Sequence, residues 1–466
     1  MKNRIKFDRL AAVFAIAGMA AFGSVAADSA SLDFGSARWL WPAELGAATN
    51  TVVEFRQTFA ADKASSARLA IAADTVYHVE LNGRAVYWGR FPDVPPQRFY
   101  DVLPLGDVLP GENELKVSVY AQGADSFQTL PGDHGVMFAV AGAGVNAASG
   151  TNTAWRLSAG DRREGVPLAT SQLGFSFDHD ASRPAAEWKR VGAADAKRDA
   201  LAFTLRERPV PRVEILPAVA SRIVGQGRLN GSPLPDDAAP GMDATQMTDV
   251  PRSEFFAEDG WSVRPACFAD GFYVLVDLGR EECGFLTLDV DTDAGTVIDI
   301  GHAEHAENGR IRTFIGSRRF AGRYRARDGR QVYCRWARRM AGRFIQLHVR
   351  GARTRFVLNE VSVRPAVFPV NERAGVVKKL SAPSDWTQTS LSQSLYKFEA
   401  LRLAGEESER AMWKEMENTW SAMLDAGATS FWEVSEGWKA FGGAGSLCHG
   451  WSAVPVYFYG VYPRSR

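Results

Sequence analysis

Cysteine is scarce in this chain of 466 residues. Only Cys267, Cys283, Cys334 and Cys448 occur, far apart and with no CxxC pair. That spacing argues against a zinc ribbon or a disulfide scaffold, and leaves open one bridge in an oxidising compartment or buried free thiols. Excess charge is lacking as well: 54 Lys+Arg stand against 54 Asp+Glu, so nothing in the balance points to nucleic acid. No repeat of fixed period is visible. Beyond residue 26 no apolar run is long enough to span a membrane. What remains, 46% hydrophobic and 23% charged, describes a globular chain with length for about three domains.

The neutral balance includes a leader. Residues 1–26 hold Lys2, Arg4, Lys6 and Arg9, the apolar run 10–21, and the small-residue site Ser24-Val25-Ala26. This is the pattern of a secretory signal peptide and predicts a periplasmic or extracellular protein. Without its four basic groups and one acid, the chain has 50 basic against 53 acidic groups.

The next 300 or so residues read as strands. The runs 68–73 (RLAIAA) and 76–81 (VYHVEL) are of strand type, and the second meets Asn82-Gly83 before 86–88 (VYW), which predicts a tight hairpin. A turn at 110–113 precedes the alternating run 114–120 (ELKVSVY). The stretch 223–250, rich in Gly, Pro and Asp, reads as a linker. Strand runs return at 273–278, 285–290, 297–300 and 343–349. The expected fold class is therefore multidomain and mainly β. Two antiparallel β-sandwich regions, 27–222 and 251–370, precede a short α-helical segment, 371–466.

In that segment Ser384 is placed to cap a helix running to Ala404, with Leu391, Leu395, Phe398 and Leu401 as its apolar stripe and Gly405 as its stop. A second helix is expected from Glu406 to Asp425, with Met412, Met416, Trp420 and Met423 inward and Gly427 ending it. A third starts near Ser446, with a kink at Pro455.

Three places could carry chemistry. The segment 301–305 (GHAEH) offers His302, Glu304 and His305, but on a strand only the first two share a face. Two ligands make a poor metal site, so no metal and no cofactor are expected, and a solvated strand edge is the plainer reading. Twelve arginines fall between Arg310 and Arg343, and the alternation in 323–327 (RYRAR) reads as a solvated face, with a sugar-acid or anion contact as the alternative. The tail is richest. Glu433 follows Phe431 and Trp432, and His449 stands beside Gly450 and Trp451. Aromatic faces beside polar groups suit sugars, and a carboxylate there can act on water. A core role for both indoles, with Glu433 merely salt-bridged, weighs equally on these residues alone.

The tail motifs 427–433 (GATSFWE) and 448–453 (CHGWSA) resemble the end of bacterial α-L-rhamnosidases of glycoside hydrolase family 78. So do the helix line 395–401 (LYKFEAL), the strand opening 277–281 (DLGRE) and the N-terminal run 38–42 (RWLWP). The resemblance implies inverting hydrolysis of terminal α-L-rhamnose in an (α/α)₆ barrel. It places the general base at Glu433 and a sugar-contacting histidine at His449, and the aromatic faces of Trp432 and Trp451 are expected to bind substrate beside them. Inversion needs a second carboxyl group. The family's general acid lies in an acidic segment with no counterpart here. Glu406, Glu407 and Glu409 open a helix, where acids complement the macrodipole and stay ionised. The span 371–466 holds 96 residues, whereas a twelve-helix barrel takes roughly 200 or more, so most of the barrel is expected to be missing. Two functions are carried forward. One is an exported rhamnosidase-like hydrolase with carbohydrate as its partner. The other is a non-catalytic carbohydrate-binding or partner-dependent relative, in which another protein covers the exposed helical face.

Overall fold

Asn82 and Gly83 both take positive φ, 53° and 74°, and close the strands Val76–Leu81 and Arg84–Gly89 through the expected two-residue turn. Asn82 also pairs with Asn113 (2.9 Å), whose side chain braces the turn before Gly111–Ala121 by accepting from Leu109 N and donating to Leu109 O. These contacts belong to a computed structural model that describes residues 34–462, except 64, 75, 90–96, 127–128, 130–131, 143, 198–203, 209–210, 232–235, 257–260, 266–267 and 368–390. The expected signal peptide, the Ser384 cap and Cys267 lie outside the described residues.

The chain is mainly β, with several sheets and a short helical segment at its end. Two sheets face each other in the N-terminal half. One is ordered Ala196–Lys197, Trp39–Leu40, Gly135–Gly142, Ser65–Asp74, Gln97–Val108, Thr204–Glu207. The other is ordered Lys189–Arg190, Ala154–Leu157, Thr51–Ala61, Gly111–Ala121, Val76–Leu81, Arg84–Gly89. Period-2 alternation supplies their shared core: Val53 and Phe55 from one strand and Val117 and Val119 from its neighbour meet Leu69, Ile71, Phe138 and Val140 from the facing sheet. Most pairings are antiparallel; Thr204–Glu207 on Gln97–Val108 and Asp178–Asp180 on Ala321–Arg325 are parallel.

The expected linker 223–250 is instead built into the second sheet system. Arg222–Asn230 pairs with Phe272–Thr292 and with Gln246–Asp249, and the helix Ala238–Ala244, capped by Asp237, fills the crossing. Its glycines serve close backbone approach, as at Gly227, where a Cβ would meet Thr248 O at 2.1 Å.

The strand Phe272–Thr292 organises the second core. It pairs with Met340–Arg350 up to Asp277, shifts register before Glu282, and continues against Phe356–Val367 and Gly329–Cys334. Gly279, at φ 81°, allows the chain to bulge there, and the Asp277 carboxylate holds the bulge by accepting from Gly279 N (2.7 Å) and from Arg343 (2.7 and 2.9 Å).

Of the alternating arginines 323, 325 and 327, expected on a solvated face, Arg327 is exposed, Arg325 half-buried and Arg323 buried. Arg323 is buried on Asp299 through two hydrogen bonds (2.6 and 3.0 Å), Arg325 and Arg330 pair with Asp178 and Asp289, and Arg335 is buried. Burial of one guanidinium demands a partner acid, and Asp299 on the neighbouring strand provides it.

The tail helices are Ser394–Leu403, preceded by a 3₁₀ turn at Leu391–Gln393, and Glu406–Asp425, with Val454–Val461 after them. Met412, Met416, Trp420 and Met423 are all buried with Leu391, Phe398 and Phe458. The last helix starts at Val454 rather than near Ser446. Pro455 lies in its first turn, where its missing N–H has no intrahelical acceptor to lose, so it starts the helix instead of kinking it. Among the described residues no helix is long and apolar enough to cross a membrane.

Candidate functional site

Gly427 (φ 85°) ends the long helix, with Gly427 N bonded to Leu424 O (3.0 Å) and Ala428 N to Met423 O (2.9 Å). The irregular chain that follows is pinned to itself: Glu433 N donates to Ser446 O (3.0 Å), His449 N to Phe431 O (2.7 Å), and Leu391 N to Glu433 O (3.1 Å). These bonds bring the two tail motifs side by side. Trp432 packs against the helical core and over Gly437, where a Cβ would lie 3.0 Å from its ring. Trp451 is 81% exposed, its ring edge-on to His449 at 5.7 Å. Its exposure rules out a core role for that indole.

A cavity of about 350 Å³ opens between this tail, the end of the strand Val297–Ala303 and the hairpin formed by Phe314–Ile315 and Arg318–Arg319. Its size is that of a small-molecule site. Glu433 and His449 both line it, and Trp432 and Trp451 do not. Glu304 lines it too, together with His302 and His305.

The solvated-edge reading of 301–305 therefore fails. The strand ends at Ala303, so strict alternation no longer holds and all three polar side chains reach the cavity. His302 is held by Ala341 O (3.0 Å), and burial lowers its pKa to about 4. His305 stacks on Trp438 at 4.9 Å and is also lowered by burial. Glu304 accepts hydrogen bonds from Ser446 Oγ (2.9 Å) and from Leu447 N, and burial raises its pKa. Glu433 Oε2 in turn accepts from Ser446 N (3.4 Å). One serine thus lies between two carboxyl groups, one from the β region and one from the tail.

Behind Glu304 is Glu281, aimed by the bulge in Phe272–Thr292. Its backbone N donates to Thr429 Oγ1 (3.2 Å), and its buried Oε2 has no hydrogen-bond partner. Burial, and then the neighbouring Glu304, push its pKa up to about 9, so it carries a proton at neutral pH. Burial pushes the adjacent Cys448 thiol up to about 12. Cys283, Cys334 and Cys448 are free. Among the described residues no group of three or more His, Cys, Asp or Glu side chains is arranged to hold a metal ion.

Sequence reasoning weighed Glu304 only as a metal ligand and set it aside, and it gave Glu281 no role. The legible signal for Glu281 was Gly279 inside a strand pattern, a mark of a bulge that re-aims its neighbours. Nothing in 301–305 indicated that the tail would fold over Glu304.

The sequence matches no protein-family model and no curated protein. Solved structures do match. The GH78 family rhamnosidase of Bacillus sp. GL1 shares 19% identity at a TM-score of 0.62, over 72% of this chain and 56% of that one. A Streptomyces avermitilis α-L-rhamnosidase complexed with L-rhamnose (19% identity, 69% and 29% coverage, TM-score 0.46) and one from Aspergillus terreus (17%, 72% and 36%, 0.44) are more distant. This chain spans little more than half of the Bacillus protein's matched chain, so the likeness concerns architecture and not individual residues. Over that 72% of its length, the chain shares the fold of the matched 56% of the Bacillus rhamnosidase.

Proposed function

We propose that this protein is an exported α-L-rhamnosidase-like glycoside hydrolase, cleaving terminal α-L-rhamnose with inversion in the cavity between its β region and its helical tail. The observation that carries this reading is the pair of carboxyl groups on either side of Ser446. An inverting glycosidase needs one carboxylate to activate water and one carboxylic acid to protonate the leaving oxygen, roughly 6.5–9.5 Å apart. Glu433 is the base. Glu304 is the acid: burial raises its pKa. His449, lining the same cavity, contacts the sugar. The fold shared with the Bacillus rhamnosidase supports the substrate class.

The test is release of rhamnose from an aryl α-L-rhamnoside by the purified protein. Glu433→Gln is expected to lower kcat by about 10²–10⁴-fold, and the first product seen by NMR is the β-anomer. No turnover above a blank at high enzyme concentration sinks the hydrolase reading.

A second reading, carbohydrate binding without turnover, is favoured by one observation. Both oxygens of Glu304 already accept hydrogen bonds from the tail, as a structural anchor would. In that case the exposed apolar side chains of the tail helices, Leu403, Val456 and Val461 among them, are covered by a partner chain. Calorimetric binding of rhamnose without hydrolysis distinguishes it.

A further inference from the structure

The carboxyl pair leaves two charged side chains of the cavity without a role. Arg312 and Arg318 line its hairpin side, at the base and in the second strand of the hairpin. This hairpin is fixed at its root: Asp243 accepts from Thr313 N and Thr313 Oγ1 (both 2.7 Å) and from Phe314 N (2.8 Å), and Arg319 is paired with Asp237. Arg319 is therefore neutralised. Arg312 and Arg318 are both exposed; Arg312 donates to a carbonyl, Gly443 O, at 3.4 Å, and neither makes an ion pair among the described residues.

The cavity's own acids do not answer them. Glu304 and Glu433 are turned to the amides and hydroxyl of Ser446 and Leu447. His302 and His305, depressed by burial, are neutral at pH 7. The hairpin side thus presents two guanidinium groups to the cavity, and among the described residues neither is paired with Glu304 or Glu433. Guanidinium forks match a planar carboxylate, and such pairing is strongest where the anion is drawn partly out of water.

We propose that Arg312 and Arg318 form a subsite for the carboxylate of a uronic acid joined to the rhamnose, so that the substrate is an acidic glycan. The inference rests on the cavity being the rhamnose site, and it adds the chemistry of the neighbouring sugar. The cation pair also draws anionic chains toward the opening, an effect that weakens as salt is raised.

The test compares a rhamnosyl-glucuronic acid disaccharide with the same disaccharide carrying glucose. Wild-type protein is expected to show a kcat/KM about tenfold higher for the acidic compound. In Arg318→Gln and Arg312→Gln the two substrates are expected to come within about twofold, and in wild type the preference shrinks at high salt. Equal or better turnover of the neutral compound by wild type overturns the inference and leaves the hydrolase reading standing. Should neither be turned over, the hydrolase reading falls and calorimetry decides. Tighter binding of the acidic disaccharide, lost in Arg318→Gln, supports the subsite; equal binding of both, or none, refutes it.

Discussion

Glu281 makes the stability of this protein fall as pH rises through neutrality. Its carboxyl has no partner for Oε2 and faces Glu304, and its pKa stands near 9 against an ordinary 4.5. A group whose pKa is raised on folding stabilises fully below the unfolded value, and that contribution is lost as pH climbs to the folded one. The window here is about 4.5 to 9. Within it the native carboxyl keeps its proton while the unfolded one has lost it, so each pH unit costs about 1.4 kcal/mol. Below pH 6.5 the buried His78 and His302, both depressed to about 4, oppose this trend, because acid favours their protonation in the unfolded chain. Near pH 9 the raised thiols add to it. The clean interval is therefore pH 7 to 8. Urea unfolding at several pH values in that interval is expected to show a steep downward slope for wild type and a much flatter one for Glu281→Gln, which is neutral at every pH. At pH 7 the variant should also be the more stable, by up to about 3 kcal/mol. Parallel slopes for the two proteins would show that Glu281 is ionised in the native state and refute the argument.

Two further substitutions probe the cores. Trp420 is 2% exposed, packs on Phe398, and donates from Nε1 to Ser452 O (3.1 Å), so Trp420→Ala should cost about 3–5 kcal/mol in urea unfolding followed by tail tryptophan fluorescence. An unchanged midpoint would mean that the tail helices unfold independently of it. Arg323→Ala strands the fully buried Asp299, whose remaining cation, Arg350, lies 3.7 Å away, and should cost about 3–5 kcal/mol. The paired change Arg323→Met with Asp299→Leu should recover most of that loss; failure to recover would place the cost in packing instead of charge.

Local patterns that repeat with a fixed period were legible from the residues. The Asn82-Gly83 hairpin follows from two positions that tolerate positive φ, and the helix Glu406–Asp425 from apolar residues at helical spacing between two glycines. Period-2 alternation located the strands of both cores, yet it could not tell a solvated arginine from Arg323, because the deciding partner, Asp299, lies on another strand. The Gly- and Pro-rich stretch 223–250 read as a linker because composition records backbone freedom and not the strand waiting to pair with it.

The candidate site divides along the same line. Glu433 and His449 could be picked out because their neighbours in sequence, aromatics and glycine, are also their chemical setting. The roles of Glu304, Glu281, Arg312 and Arg318 could not be read, since the chain that meets Glu304, Glu281 and Arg312 lies more than 100 residues away: Ser446 and Leu447 over Glu304, Thr429 against Glu281, Gly443 beside Arg312. Residue types and spacing determined which elements form. Only the tertiary structure decided which charges lose water and which find a partner, because desolvation and pairing depend on what the fold brings within a few ångströms.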